Sequence, residues 1–221
     1  MSLKTTITID GPAASGKTVV GKLVSKHLNY RFLDTGSMYR AITWEALQKK
    51  IDLDDDIALS KLAIDTDIKL ISQDTSGYIL VNGKKMQELR NPDVDASVSQ
   101  VSSVSGVRTA LVKTQRMVCK DGEIVVVGRD IGTVVLPDAR IKIYLTASLK
   151  IRASRRHDDI TSQEGSFDTK TVVEKLRERD HIDSTRENSP LRPAYDAIRI
   201  DTDNLGIKEV AEMIVDLVGI S

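Results

Sequence analysis

Apolar residues fall along this chain in short β-rich runs, separated by longer stretches in which they recur every three or four positions. That is the signature of buried strands alternating with amphipathic helices. The runs are Thr6 to Ile9, Arg31 to Leu33, Ile124 to Val127, Ile141 to Leu145 and Ile198 to Ile200. Five strands set among helices predict an α/β fold, a parallel sheet flanked by helices on both faces. In such a sheet ligands bind beyond the carboxyl ends of the strands. After the first run, Val19, Val20, Leu23, Val24 and Leu28 form a helical apolar stripe. Near the end, Val210, Ile214 and Leu217 share one face of a helix predicted over Ile207 to Val218, which would cover the sheet.

Two stretches break the alternation. Between about Leu62 and Ser103, Asp67 to Ile71 and Tyr78 to Val81 read as strands, and Asn82-Gly83 is a strong hairpin turn before Lys84-Lys85-Met86. A small β-rich insertion is expected there. His157 to Asp168 is polar, contains Gly165 and follows the basic segment Arg152 to Arg156, which predicts an irregular, mobile flap.

Composition sharpens this picture only in what it removes. Of 221 residues 40% are hydrophobic, enough for one well-cored domain with insertions. Lysine plus arginine equals aspartate plus glutamate at 32 each, so no global field gathers nucleic acid or an anionic membrane, and any basic site must be local. The single cysteine, Cys119, forms no intrachain disulfide or cysteine metal framework and is expected to be a small buried hydrophobe. No apolar signal core or membrane-spanning stretch is evident, which points to a cytoplasmic protein. His27, His157 and His181 have no ligand spacing. Trp44 and Tyr39 read as core, and Asp52 to Asp56 as a solvated loop or helix start.

Chemistry enters with Gly11-Pro12-Ala13-Ala14-Ser15-Gly16-Lys17-Thr18, which fills the phosphate-loop pattern G-x-x-x-x-G-K-[ST] between a strand and a helix. Backbone N–H groups of such a loop turn inward on phosphate oxygens. Lys17 would reach the β- and γ-phosphates, and the Thr18 hydroxyl would join a Mg²⁺ shell. The alternative, a chance glycine turn, is disfavoured by the strand and helix on either side. Two further strands end in polar residues that would open on the same crevice, Asp34-Thr35-Gly36 and Gly128-Arg129-Asp130.

These residues, with Ser37-Met38-Tyr39-Arg40, Ser99, Arg108, the run Gly128 to Ala139, Arg152 to Arg156, Arg179-Asp180, Asp183, Arg186 and Pro190-Leu191, closely resemble the bacterial cytidylate kinases over nearly the full length. The resemblance implies a P-loop kinase of the nucleoside-monophosphate type. It would be a single domain over 1–221, with a core of 1–61 and 104–221, a monophosphate-binding insertion of about 62–103 and a lid of about 152–172. The implied reaction moves the γ-phosphoryl group of ATP to CMP or dCMP, with Mg²⁺ carried in on ATP. A monomer is expected.

The same resemblance distributes roles. Gly11 to Thr18 and Arg155 would hold ATP. Lys17, Arg129, Arg152 and Arg156 would stabilise the transferring group, with Arg152, Arg155 and Arg156 closing over it, although three arginines in five residues also suit a solvated helix face. Arg40 and Arg129 would face the CMP phosphate, Arg179 and Asp183 the ribose, and Asp130, Ser99, Arg108 and Arg186 the base, with Thr35 also among the CMP-binding residues. Two local alternatives stand beside these: an Arg129–Asp130 ion pair and an i,i+4 pair between Arg179 and Asp183. Cytosine offers an amino donor and ring acceptors, so a carboxylate, a hydroxyl and guanidiniums suit it, whereas uracil reverses two polarities. Ala13-Ala14 stands where relatives often have a further glycine. The rival functions are another small-metabolite kinase, or a nucleotide-dependent switch, which would need a guanine-selecting N-K-x-D segment that is not present.

Overall fold

The computed structural model describes residues 5–73, 76–86, 89, 91–164 and 169–220. The chain opens with β1 (Thr6–Asp10), α1 (Lys17–Leu28), β2 (Arg31–Asp34), α2 (Thr35–Gln48) and α3 (Asp56–Asp65). It continues through β3 (Ile68–Gln73), β4 (Ser76–Val81), β5 (Lys84–Lys85), α4 (Pro92–Ser103) and α5 (Ser105–Cys119). β6 (Ile124–Gly128), a π-turn (Ile131–Val135), β7 (Ile141–Thr146), α6 (Leu149–Glu164), α7 (Thr169–Thr185), β8 (Ile198–Asp201) and α8 (Ile207–Ile220) complete it.

The five strands expected from the apolar runs form one parallel sheet in the order β2-β6-β1-β7-β8. Alternation along its strands explains the two layers that cover the sheet. Val125 and Val127 of β6 pack with Ile7, Ile9, Val20, Val24, Val210 and Ile214 beneath α1 and α8. Ile124 and Val126 face the other way, onto Met38, Ile42, Val107 and Leu111 of α2 and α5. Each fully buried Val or Ile contributes about 1.5–3 kcal/mol, so both faces are strongly held.

β3, β4 and β5 form a separate antiparallel sheet across the Asn82-Gly83 turn. Ile68, Ile79 and Val81 of this sheet share a core with Leu33 and Leu111. The β-rich segment is therefore seated on the parallel sheet. Side chains cap the starts of α2, α3 and α4: Asp34 accepts from Gly36 N–H, Asp55 from Ile57 and Ala58, and Asn91 from Val94 ahead of Pro92. Asp55 thereby accounts for part of the Asp52 to Asp56 run.

Two expectations change. Val19 is 52% exposed and belongs to the crevice mouth, because the α1 face against the sheet is already filled by Val20 and Val24. α6 runs on through Glu164, so His157 to Glu164 is helical where an irregular flap was expected. Its polar residues break no helix, and the first glycine comes at 165. Residues 165–168 of that flap lie outside the described residues. Among the described residues no helix is long and apolar enough to cross a membrane.

Candidate active site

Parallel register brings three chemistry-bearing strand ends to one edge. Asp10 lies beside Gly128 and Tyr144, and Asp34 beside Val127. The phosphate loop, the start of α2 and the Arg129-Asp130 segment therefore emerge together. The loop's backbone is what its glycines permit. Gly11 has φ +150°, and a Cβ there would stand 2.1 Å from Leu145 O; Gly16 has φ +92° and begins α1 with no side-chain cap. The first N–H groups of α1 are thus left facing the loop.

Lys17 is folded back on its own loop, donating to Pro12 O at 2.5 Å and Ser15 Oγ at 3.2 Å. Burial, then the Arg129 charge, pushes its pKa well down, against the pull of Asp34 and Asp10. Thr18 Oγ1 donates to Asp34 Oδ2 at 2.9 Å, which places two hard oxygen ligands side by side at the loop. Among the described residues no cluster of three or more His, Cys, Asp or Glu could hold a metal alone. One or two protein oxygens completed by phosphates and water is the way Mg²⁺ is commonly held in such sites, so this pair fits it.

The three arginines of α6 divide in a way their spacing did not predict. Arg152 is buried; its Nε donates to Ala147 O at 3.0 Å, its Nη1 to Ala13 O at 3.2 Å, and it pairs with Asp180 at 2.7 Å. Those bonds brace the phosphate loop, and Arg152 is absent from the cavity wall. In this structure it does not cover the site as expected of a lid arginine. Arg155 donates to Thr202 Oγ1 at 2.9 Å and Thr202 O at 2.7 Å, tying α6 to the end of β8. Arg156 lines the cavity and pairs with Asp95 of α4 at 2.6 Å, and Arg40 of α2 pairs with the same carboxylate.

Facing the loop is a charged network assembled from distant parts of the chain. Arg129 Nε donates to Asp183 Oδ2 at 2.9 Å, and Arg186 lies 3.5 Å from the other Asp183 oxygen. Burial raises the Asp183 carboxyl, but Arg129, Arg179 and Arg186 together hold it below its usual range. Burial, then Arg129, lowers Arg179 to about 10, and its Nε is buried without a hydrogen-bond partner. Arg108 pairs with Asp130, these being 3% and 4% exposed, and donates to Ser102 O at 3.1 Å. Arg108 Nε and Arg186 Nη2 are likewise buried donors lacking a hydrogen bond. Neither local pairing considered from the sequence, Arg129–Asp130 or Arg179–Asp183, is among these bonds.

Sequence reasoning missed several residues here. Asp10, the last residue of β1, accepts from Ile131 N–H at 2.9 Å and Gly132 N–H at 2.8 Å, pinning the turn that follows Arg129 and Asp130. Burial pushes the Asp10 carboxyl up to about 6 despite those two donors. An aspartate closing an apolar strand was the available signal. Tyr39 is buried as expected, yet it also lines the crevice and lies under the Arg108 guanidinium at 5.3 Å. Of the serines, Ser102 is in the wall; Ser99 is half-buried on α4 and is not. Thr35 lines the cavity, but its hydroxyl donates to Val127 O at 2.9 Å.

Together these groups enclose a cavity of about 660 Å³ walled by nine cationic side chains and three carboxylates, in a chain of zero formal net charge. A local excess of that size suits polyanions. The comparisons agree. Residues 7–219 match the family model for cytidylate kinase. A cytidylate kinase of Bacillus velezensis is 45% identical over 99% of this chain and 98% of its own. One of a Geobacillus species is 45% identical over 96% and 95%. Among solved structures, a shikimate kinase of Acinetobacter baumannii complexed with shikimate covers 98% of this chain and 94% of its own, at TM-score 0.51 and 17% identity, a likeness of fold alone.

Proposed function

Since the chain belongs to the cytidylate kinase family, we propose that its crevice transfers the γ-phosphoryl group of ATP to CMP or dCMP, giving ADP and the nucleoside diphosphate. The observation that carries this reading is the joining, in one cavity, of a phosphate loop and a buried Asp130–Arg108–Arg186 cluster. Neither part alone specifies both substrates. The attacking oxygen belongs to a phosphate that is already anionic, so no side chain needs to remove a proton. The chain's task is to align two polyanions and stabilise the charge on the transferring group.

On the donor side, the loop N–H groups and the uncapped start of α1 would take the phosphates. Lys17 would leave Pro12 O and Ser15 for the β- and γ-oxygens, and the new counter-charge would relieve its depressed pKa. Thr18 and Asp34 would hold the Mg²⁺ arriving with ATP, which supplies charge neutralisation. Arg152 would keep the loop in place through Ala13.

On the acceptor side, Arg40 and Arg129 would take the monophosphate, joined by Arg156, which the sequence placed over the transferring group but which shares the Asp95 carboxylate with Arg40; Arg179 and Asp183 would lie toward the ribose. Arg108 Nε and Arg186 Nη2 would find in cytosine N3 and O2 the acceptors they lack, while Asp130 receives the amino group. Uracil would turn a carbonyl toward Asp130. The shift of α4 or side-chain rotation needed to bring Ser99 to the base is part of this proposal. So are the segment boundaries at about 62–103 and 152–172, and a cytoplasmic monomer as the working form.

Coupled ADP formation with ATP·Mg²⁺ against CMP, dCMP, UMP, AMP, GMP and shikimate, each beside a no-acceptor control, tests the reading. Turnover with CMP and dCMP far above the rest is expected. Preference for another acceptor would overturn the base assignments, and acceptor-independent turnover would point to a nucleotide-driven switch.

A further inference from the structure

Asp95 stands in the first turn of α4, where an acid is already favoured by the helix dipole. That local reason would account for it as a surface residue. The structure gives its carboxylate another engagement, with guanidiniums from two other elements: Oδ1 with Arg40 of α2 and Oδ2 with Arg156 of α6. Both arginines line the cavity, whereas Asp95 is outside its wall. A planar carboxylate dividing its two oxygens between two guanidiniums offers them what two oxygens of a phosphate monoester would offer, with less charge.

We propose that Asp95 is an internal competitor for the acceptor's phosphate: its carboxylate holds Arg40 and Arg156 while the site is empty, and the acceptor binds by displacing it. The proposal rests on the reading of those two arginines as phosphate ligands. Electrostatics favours displacement over sharing, because a phosphate dianion and a carboxylate on the same two guanidiniums would repel each other. Release is feasible, since the Asp95 side chain is 24% exposed and can turn to water without leaving a buried charge. Arg40 and Arg156 would meanwhile be kept paired in a wall already crowded with positive charge. Asp95 thus tunes acceptor affinity downward, and it ties α4 to α2 and α6 only until the phosphate arrives.

Calorimetric titration of the full chain tests this, comparing wild type with Asp95→Asn and Asp95→Ala for three ligands: CMP, cytidine, and inorganic phosphate added to ADP-saturated protein. Circular dichroism would check that each variant is folded. Removing the competitor should tighten CMP and inorganic phosphate roughly tenfold, the scale of a charge-assisted hydrogen bond, and leave cytidine within about twofold. Unchanged or weaker CMP and phosphate binding would overturn the proposal, since Asp95 would then only complement the α4 dipole or orient the arginines. Equal tightening of cytidine would also overturn it, by pointing to a general opening of the crevice. Were CMP to bind none of the proteins, the functional reading would fall, and the inorganic phosphate arm would still decide whether Asp95 competes for an anion.

Discussion

In the half of the crevice proposed for the donor, the site is eight consecutive residues, Gly11 to Thr18, and the central cation, Lys17, donates to Pro12 O and Ser15 Oγ of its own loop. In the half proposed for the acceptor the charges come from α2, α4, α5, α6, the segment after β6, and α7 with Arg186 just beyond it, and the carboxylates Asp130, Asp183 and Asp95 are each already held by guanidiniums. The first half is a shaped nest awaiting anions, whereas the second is a set of ion pairs. Charge removal should therefore have opposite effects on stability in the two halves. In the donor half it deletes function from a cation that burial already disfavours; in the acceptor half it strands a partner.

Lys17→Ala is the largest test. Turnover should fall roughly 10³-fold, as expected when a preorganised charge is lost from a transferring group. Stability should hold or rise, because burial opposes the Lys17 charge. Steady-state kinetics and urea unfolding on the same preparations check both. Near-normal turnover would remove Lys17 from the machinery, and a stability loss of several kcal/mol would break the contrast.

Asp130→Asn probes the other half. Arg108 would keep one acceptor but lose its buried counter-charge, so unfolding free energy should drop by about 3 kcal/mol. The preference for CMP over UMP, read as the ratio of kcat/KM values, should narrow roughly tenfold, because an amide can turn a donor to the uracil carbonyl. An unchanged ratio would take Asp130 out of base reading whatever happens to stability.

That contrast also explains which features were legible in the sequence. A phosphate loop is local: the residue pattern, the strand before it and the helix after it lie within 28 positions, so identity and placement were legible together. β1, β6 and β7 were legible because they are buried runs with clear ends. The acceptor residues were legible by type and resemblance, but their partners were not. Arg129 chose Asp183, 54 positions away, over neighbouring Asp130, and Arg108 took Asp130 from 22 positions off. Pairing of that kind is set by where α5 and α7 bring Arg108 and Asp183 against the segment after β6, which no spacing rule encodes. The bond from Arg152 to Ala13 O was illegible for the same reason, since that carbonyl is 139 positions distant.

Asp10 joins the two halves, closing β1 ahead of the phosphate loop and pinning the turn after Asp130. Its carboxyl is raised from 3.8 to about 6, chiefly by burial. A raised folded-state pKa stabilises below the unfolded value and loses that contribution as pH rises through the folded one. Between pH 4 and 7, then, the stability of wild type relative to Asp10→Asn, which does not titrate there, should decline by on the order of 2–3 kcal/mol. Urea unfolding of both proteins across that range would check it. A pH-independent difference would mean that Asp10 is ordinary in its ionisation and that the two halves are joined only by its hydrogen bonds.

Ala14 gives the smallest effect and the sharpest view of the donor half. It sits in the loop at φ +57°, where a Cβ crowds the backbone and glycine is unhindered. Ala14→Gly would relieve that strain in the folded state but widen the freedom of the unfolded one, so the two terms oppose each other. At positive φ the strain is the larger, and a net stabilisation of about 0.5–1 kcal/mol is expected from the unfolding midpoint. If the loop's strain helps hold its N–H groups toward the phosphates, the same variant should bind ATP slightly less well while becoming more stable, and a binding titration would separate the two. Stabilisation with unchanged ATP affinity would instead show that the nest is shaped by Gly11, Gly16 and the Arg152 brace, with Ala14 merely tolerated.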